Sequence, residues 1–237
     1  MAIVRSVFAW TVALLATIVF GSLAILTSWI PPRGRVYLFW ARSWSRVVLL
    51  FAGIPLQVES AEATERLPAA IFMPNHESAI DILTLLLAVP HEIRFLAKRS
   101  LFYVPFMGWS MWLAGFIPVD RENKHRAKDV LDELASRIRE GHSIIVFPEG
   151  TRSRSGELGE FKKSGFLLAL KTGLPIVPIG IRGARRILGT EGMKLGPGHV
   201  RITLGEPIET KGLGVSHRAE LMARVRAEIL RLRGNVP

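Results

Sequence analysis

A long uncharged stretch opens the chain. Residues 7–30 contain no charged side chain over 24 positions, and a helix of that length, at about 1.5 Å per residue, reaches across the roughly 30 Å hydrocarbon core of a bilayer. Pro31 and Pro32 then stop the helix and amphipathic sequence follows, whereas a secretory signal has a shorter apolar region and a small-residue cleavage site. The pattern predicts a retained anchor.

The segment after the anchor mixes basic and aromatic side chains. Tyrosine and tryptophan lie among four arginines, with no acid between them: Arg33, Arg35, Arg42 and Arg46. This mixture is typical of a helix at the headgroup level or of the second arm of a shallow hairpin. A buried core helix would not explain the arginines. We therefore assign residues 1–54 to a membrane anchor with an interfacial helix, and residues 55–237 to a separate domain.

From about residue 56, short apolar runs alternate with helical patterns. The runs predict strands near 56–60, 69–73, 93–97, 116–119, 143–147, 175–181 and 199–204. The intervening periodicity predicts helices near 78–89, 105–114, 123–140, 161–172 and 215–233. Such alternation indicates an α/β fold, with a mainly parallel sheet flanked by helices and an N-terminal membrane-associated helical segment.

Composition narrows the function classes. The formal net charge is +11 over 237 residues, so the partners should be anionic: phosphates, an acidic carrier, a lipid surface or nucleic acid. The chain has no cysteine, which excludes disulfides, cysteine–zinc sites and a thiol nucleophile. Only Arg5 precedes the anchor and several arginines follow it, so the positive-inside tendency places the bulk of the chain in the cytoplasm.

Polar clusters follow three of the predicted strands. The stretch PNHESAID follows 69–73, DREN follows 116–119 and PEGTRSRSGE follows 143–147. Ligands of parallel sheets bind at the carboxyl ends of the strands. The clusters should therefore bring five side chains to one edge: His76, Asp81, Arg121, Glu149 and Arg152.

The spacing of His76 and Asp81 permits two interpretations. Ser78 and Asp81 fit a capping box, in which an acid three residues after the N-cap accepts a backbone N–H. Alternatively, His76 lies on the turn entering the helix and Asp81, in the first turn, accepts its Nδ1–H, which leaves Nε2 as a base. No G-x-S-x-G nucleophile elbow is present, so a substrate hydroxyl would be the nucleophile.

The remaining candidates suit an anionic substrate. Arg121 and Arg152 have forked guanidinium groups that bind phosphate in a bidentate manner. Gly150 lets the backbone approach a ligand, and Glu149 would hold a substrate hydroxyl or an arginine. The histidines lack metal-ligand spacing, and no Walker or G-x-G-x-x-G loop is present, so we predict neither metal nor cofactor. An aromatic stripe at 102–112 is either core or, as we favour, a membrane contact.

Together these motifs resemble the glycerolipid acyltransferase family, and most closely its bacterial members that act on 1-acylglycerol 3-phosphate, or lysophosphatidic acid. The resemblance covers roughly residues 55–210, and NHESAID, GFIPVDR, FPEGTRS and LPIVPIG stand in the order of the family's four motifs. It implies His76 as general base and Asp81 as its partner. It further implies Arg121, Arg152 and Lys98 as phosphate ligands, with Gly150 and its neighbour Thr151 at the oxyanion.

The resemblance also implies the substrates. The donor would be acyl-CoA or acyl-carrier protein, the acceptor lysophosphatidic acid in the cytoplasmic membrane, and the product phosphatidic acid, without metal, cofactor or nucleic acid. Three alternatives compete with this interpretation. The acceptor is another lysolipid, such as a lyso-ornithine lipid; the protein is a membrane-tethered binder of anionic lipid without catalysis; or it is a serine esterase, which the missing elbow disfavours.

Overall fold

The computed structural model describes residues 2–119, 141–190 and 192–234. Within these residues the sheet has seven strands: β1 (Leu56–Ser60), β2 (Ile71–Pro74), β3 (Ile93–Lys98), β4 (Ile117–Val119), β5 (Ser143–Ile145), β6 (Ile176–Arg182) and β7 (Val200–Leu204). Their order is β1-β7-β6-β2-β5-β3-β4. All neighbouring pairs are parallel except β6 and β7, which are antiparallel. The prediction of a mainly parallel sheet is confirmed.

Helices cover both faces of the sheet. They are α1 (Ala2–Leu26), α2 (Arg33–Phe51), α3 (Glu62–Glu65), α4 (Ile80–Ala88), α5 (Met107–Leu113), α6 (Lys163–Thr172), α7 (Ala184–Ile187) and α8 (Arg218–Arg233), with 3-10 turns at Arg99–Tyr103 and Val215–His217. Side chains alternate across a strand. Phe72 accordingly joins the core beneath α2 and α4, whereas Ile71 and Met73 join the core beneath α6 and α8.

The N-terminal helices form an antiparallel hairpin that packs on the α/β domain. Near the start of α1, Arg5 Nη2 donates to the Ala52 carbonyl at 2.8 Å, and Trp44 Nε1 of α2 donates to Thr17 of α1. Trp10 Nε1 donates to the Met193 carbonyl at 2.6 Å. The α1 helix is long and apolar enough to cross a membrane, as predicted, and it also packs on α2 and α5.

The α2 helix is fastened to the end of α4. Its Arg42 donates to the carbonyls of Leu86, Val89 and His91, where α4 has ended and its last carbonyls lack helical partners. This use of a basic residue in α2 is structural, and the sequence did not reveal it. The boundary between an anchor at 1–54 and a domain at 55–237 stays a prediction.

Most predicted elements agree with the structure to within a few residues, and the exceptions have local causes. The apolar run 143–147 leaves the strand after Ile145, because the Phe147 carbonyl accepts the Gly150 N–H at 3.0 Å and the chain turns. The predicted helix at 123–140 lies outside the described residues. In the aromatic stripe, Tyr103 and Trp112 are 72% and 70% exposed, so the core interpretation does not hold for them.

Candidate active site

His76 lies between the end of β2 and the start of α4, as the second interpretation of the motif required. Its Nδ1 is 2.8 Å from Oδ2 of Asp81, the second residue of α4. A carboxylate is an acceptor, so the proton of this bond is assigned to Nδ1 and Nε2 is left with its lone pair. Asp81 is fully buried, whereas the His76 side chain is 10% exposed. Only the imidazole of the pair is therefore open to a substrate.

The same carboxylate oxygen also organises the turn. Asp81 Oδ2 accepts the N–H groups of Glu77 at 2.7 Å and Ser78 at 2.9 Å. The bond from Ser78 is half of the predicted capping box. Ser78 Oγ, however, donates to the Leu188 carbonyl and accepts the Ile80 N–H, so the other half does not form. The capping and pairing interpretations are thus both partly right, because one oxygen performs both tasks.

The loop after β5 encloses His76. Phe147 stacks on the imidazole, with ring centroids 3.9 Å apart and an interplanar angle of 22°. The backbone N–H of His76 donates to Glu149 Oε1 at 2.8 Å, and its carbonyl accepts the Ser153 N–H at 2.8 Å. The loop after β5 therefore contacts the ring, the backbone N–H and the carbonyl of His76.

Both carboxylate oxygens of Glu149 accept hydrogen bonds from backbone N–H groups. Oε1 accepts His76 N–H, and Oε2 accepts Gly159 N–H at 2.9 Å. The side chain is buried, so in this structure it joins the two loops and does not face a ligand. Its assignment to substrate binding stays a prediction, and its observed contacts are those of a group that orients the site.

Gly150 sits at a close approach within the same loop. Its φ is +71°, a left-handed conformation that favours glycine, and a Cβ there would lie 2.8 Å from Lys162 Cε. The Lys162 side chain thus packs over Gly150, which precedes Thr151 and Arg152 in the loop. Thr151 is exposed and Arg152 half-buried, which leaves both within reach of a ligand at the edge of the sheet.

Lys98 lies farther along the same edge of the sheet. Lys98 ends β3 and is exposed. Because β5 separates β3 from β2, Lys98 is two strand spacings, about 10 Å, from the strand that delivers His76. Arg121 follows β4, the next strand, but lies outside the described residues.

Glu77 adds a buried acid behind the pair. Burial, followed by the nearby Asp81 carboxylate, raises the pKa of Glu77 to about 7, while Arg233 acts in the opposite direction. Its Oε1 accepts Asn75 Nδ2 at 3.2 Å and lies 3.6 Å from Arg233 Nη2. Asn75 in turn pairs with both the N–H and the carbonyl of Ile181. These contacts join the His76 loop to β6 and to the C-terminal helix.

The sequence model of the Acyltransferase family matches residues 55–182, which include His76, Asp81 and the FPEGTRS loop. The chain belongs to the acyltransferase family. It is 30% identical to the 1-acyl-sn-glycerol-3-phosphate acyltransferase of Pseudomonas aeruginosa, over 94% of this chain and 88% of that protein.

A plant relative and a solved structure show how far the similarity extends. The chain is 35% identical to a chloroplastic 1-acyl-sn-glycerol-3-phosphate acyltransferase of Arabidopsis thaliana over 75% of its residues, and it spans about half, 50%, of that protein's length. The crystal structure of the 1-acyl-sn-glycerophosphate acyltransferase from Thermotoga maritima superposes with a TM-score of 0.83. That alignment covers 100% of this chain and 98% of the other at 23% identity, so it shows a shared fold.

Sequence reasoning missed four residues that hold this family member's site together. Asn75 and Phe147 lie inside quoted motifs, and their positions beside His76 and Glu149 were a usable sign. Glu77 lies inside the PNHESAID stretch, but nothing in the local sequence indicates that its carboxylate is buried beside Arg233. Arg233 has no local sign at all, because its contacts with Glu77 and Gly156 arise only when the C-terminal helix packs on the sheet.

Proposed function

We propose that the protein transfers a fatty acyl group from a thioester donor to the sn-2 hydroxyl of 1-acylglycerol 3-phosphate, which produces phosphatidic acid for phospholipid biosynthesis. The observation that carries this proposal is the imidazole of His76, 10% exposed, with Nδ1 bonded to the fully buried Asp81. Membership of the acyltransferase family supports the reaction type. The names of the bacterial and plant relatives support the acceptor.

In the proposed reaction the acceptor supplies the nucleophile. His76 Nε2 takes the proton of the lysolipid hydroxyl while the hydroxyl oxygen attacks the thioester carbonyl carbon. The tetrahedral intermediate then collapses, its C–S bond breaks, and the imidazolium returns the proton to the departing sulfur. Asp81 keeps the ring in the tautomer that makes this possible and stabilises the imidazolium. No acyl group is attached to the protein at any step.

Cationic side chains along the sheet edge would bind the acceptor phosphate. Arg152, on the loop that contacts His76, can form a bidentate pair with a phosphate, and Lys98 supplies a point charge from β3. Both are accessible. Arg121 joins them in the proposal on the strength of its position after β4.

The intermediate also needs a stabilised oxyanion. The Gly150 N–H is occupied by the Phe147 carbonyl, so this group is not the donor in the observed conformation. Within the described parts of the chain, the neighbouring N–H groups of Thr151 and Arg152 have no protein acceptor. We assign them the oxyanion role, because backbone donors fixed by a closed loop need no reorganisation when charge develops.

The proposed location is the cytoplasmic membrane, with the catalytic edge at the cytoplasmic headgroup level. The apolar α1 helix and the family's bacterial relatives indicate membrane association. Exposed apolar side chains continue from the hairpin to the 99–113 segment, among them Phe8, Leu15, Phe39, Tyr103 and Trp112. A lysolipid could enter from this side while a water-soluble donor, acyl-CoA or acyl-carrier protein, arrives from the other.

Removing α1 would test this location poorly, because Trp10 and Ser6 pack on the 193–195 loop. A sharper variant is Phe8→Ser with Leu15→Ser, since both side chains are more than half exposed. Vesicle flotation should weaken while the melting temperature is unchanged, and Val215→Ser, 60% exposed near α8, is the matched control. Flotation that stays at the wild-type level would reject this membrane face.

The function itself is tested with purified protein, labelled acyl-CoA or acyl-carrier protein, and a panel of lysolipids. The proposal expects 1-acylglycerol 3-phosphate to be the preferred acceptor, judged by kcat/KM, because only it carries the terminal phosphate that Arg152 would hold. Preference for a lyso-ornithine lipid would retain the chemistry and change the acceptor. Lipid binding without any transfer would leave a membrane-tethered binding protein.

A further inference from the structure

The loop that encloses His76 is itself held by arginines from the C-terminal part of the chain. Arg185 of α7 donates to the carbonyls of Arg154 and Ser155. Arg226 of α8 donates to the carbonyls of Leu158 and Gly159, at 2.7 and 2.5 Å. The segment 154–159 has no regular secondary structure, so these guanidinium groups take the place of a hydrogen-bonding strand or helix.

Arg233, at the end of α8, differs from the other two arginines because it lies within 4 Å of a carboxylate as well as bonding a carbonyl of the 154–159 segment. Its Nη2 donates to the Gly156 carbonyl at 2.6 Å and lies 3.6 Å from Glu77 Oε1. Its side chain is only 6% exposed. Burying a guanidinium group destabilises the fold unless its N–H donors are hydrogen-bonded and its charge has a partner. Its two partners belong to the two loops that form the site.

These contacts close a ring. Gly156 N–H donates to Ser153 Oγ, Ser153 N–H donates to the His76 carbonyl, and Glu77 follows His76 in the chain. The ring is completed by Arg233, which bonds Gly156 and faces Glu77. A rigid ring fixes the position of His76 relative to the 153–156 segment.

The end of α8 is itself placed by the sheet. A Cβ at Gly180 of β6 would lie 2.4 Å from the Arg233 backbone nitrogen. The glycine therefore lets the helix end touch the strand, and the side chain of Arg233 then reaches past the strand to the catalytic loops.

We propose that Arg233 is a positioning residue for acyl transfer: by bonding the Gly156 carbonyl and pairing with Glu77, it fixes the His76 loop and the 153–157 segment against each other. It touches no reacting atom, and it would act on the turnover rate through the placement of His76. This inference rests on the proposed function for its kinetic consequence and on geometry alone for the placement of the loop.

The test compares Arg233→Met, which keeps the length of the side chain, with Arg231→Met. Arg231 lies on the same helix, is 67% exposed and pairs with Glu228 of its own helix. For Arg233→Met we expect kcat to fall by about tenfold or more and the KM of each substrate to change by less than about threefold, since misplacement of a general base affects the transition state. Arg231→Met should match the wild type.

A second variant separates pairing from general damage. In Arg233→Met, the Glu77 carboxyl is left buried beside Asp81 and Glu149, with Arg185 as its remaining cation. Neutralising it with Glu77→Gln at pH 8 should recover part of the lost kcat in the double variant, because an amide needs no counter-charge. If the fold-loss of kcat in the double variant equals the product of the losses in the two single variants, the two side chains are not coupled and the pairing is overturned.

Trypsin cleavage of the intact protein in detergent gives a readout that needs no activity. Cleavage at the Arg154–Ser155 bond should be several-fold faster in Arg233→Met than in the Arg231→Met control, because a released loop opens more often. Arg233→Lys, which keeps a charge near Glu77, replaces Arg233→Met in this test if the latter is poorly folded. Its cleavage rate should lie between those of Arg233→Met and Arg231→Met. Equal cleavage in all the variants would overturn the inference, whereas faster cleavage in a protein without transferase activity would overturn only the proposed function.

Discussion

The two sides of the proposed site are built differently. On one side, Asp81 is fully buried and its Oδ2 accepts three hydrogen bonds, while His76 is held through its ring, its N–H and its carbonyl. On the other side, Lys98 and Thr151 are exposed and Arg152 is half-buried. Groups that move a proton gain from fixed geometry. Groups that bind a hydrated headgroup must exchange water for phosphate, and an accessible position allows that exchange.

The largest effect expected from this contrast is on the fixed side. His76→Ala should lower kcat by about 10²–10⁴-fold, the usual contribution of a general base. The buried ring stacks on Phe147 and bonds Asp81, so its removal should also lower the free energy of unfolding, by about 1–3 kcal/mol, while the protein stays folded. Acyl transfer measured with labelled donor, beside a melting curve, checks both parts. Near-normal turnover would show that another group takes the hydroxyl proton.

The second largest loss of kcat is expected for Asp81→Asn. The amide keeps the shape and can still accept a backbone N–H, but its NH₂ group would favour the wrong imidazole tautomer, so kcat should fall by about 10²-fold or more. The expected loss of stability, from weaker capping of α4, is about 1 kcal/mol. If the melting temperature falls while kcat is retained, Asp81 serves only as a helix cap.

Substitutions on the accessible side should change binding more than turnover. Arg152→Lys keeps the charge but loses the fork, and the acceptor KM should rise by roughly tenfold with a smaller change in kcat. Arg154→Lys is the matched control, because Arg154 lies two residues away and its side chain is exposed. An acceptor KM equal to that of the control would assign Arg152 to donor binding or to the structure of the loop.

The smallest effect concerns pH and the buried acid behind the pair. Because the pKa of Glu77 is raised from 4.5 to about 7, the folded protein binds a proton more tightly than the unfolded chain, and the stability this confers is lost as the pH rises through about 7. In Glu77→Gln, the decrease in the free energy of unfolding between pH 5 and pH 8 should be smaller than in the wild type by on the order of 1–3 kcal/mol. Urea unfolding at pH 5 and pH 8 measures it.

The exposed Glu157→Gln serves as the control for that measurement. It should leave the pH dependence of the free energy of unfolding as in the wild type. A Glu77→Gln variant that loses stability with pH as steeply as the control would show that the acid behind the pair does not titrate in this range.

Local pattern was enough to predict the fixed side of the site. The run 69–73, the turn and the apolar helix together place His76 before α4 and Asp81 in its first turn, because strand and helix geometry leave few other arrangements. The FPEGTRS loop was likewise expected at the same edge, since β5 is parallel to β2. Its contacts with His76 then follow from the adjacency of the two strands.

What the sequence could not predict depends on contacts between distant segments. Arg233 meets Gly156 only because α8 crosses the sheet beside Gly180, and no periodicity records that approach. The antiparallel direction of β7 was also invisible, since an apolar run does not encode its direction. The sequence also did not indicate that the Glu149 carboxylate accepts two backbone N–H groups. Its binding of a substrate hydroxyl or an arginine stays a prediction.

The most direct test of the central claim asks whether the acyl group ever resides on the protein. Purified wild-type protein is mixed with acyl donor in the absence of acceptor, quenched within a single turnover, and weighed by intact mass spectrometry. We expect an unchanged protein mass, and phosphatidic acid only after donor, acceptor and an intact His76 are all present. A protein heavier by one acyl group, which then passes that group to lysolipid added later, would contradict direct attack by the acceptor hydroxyl.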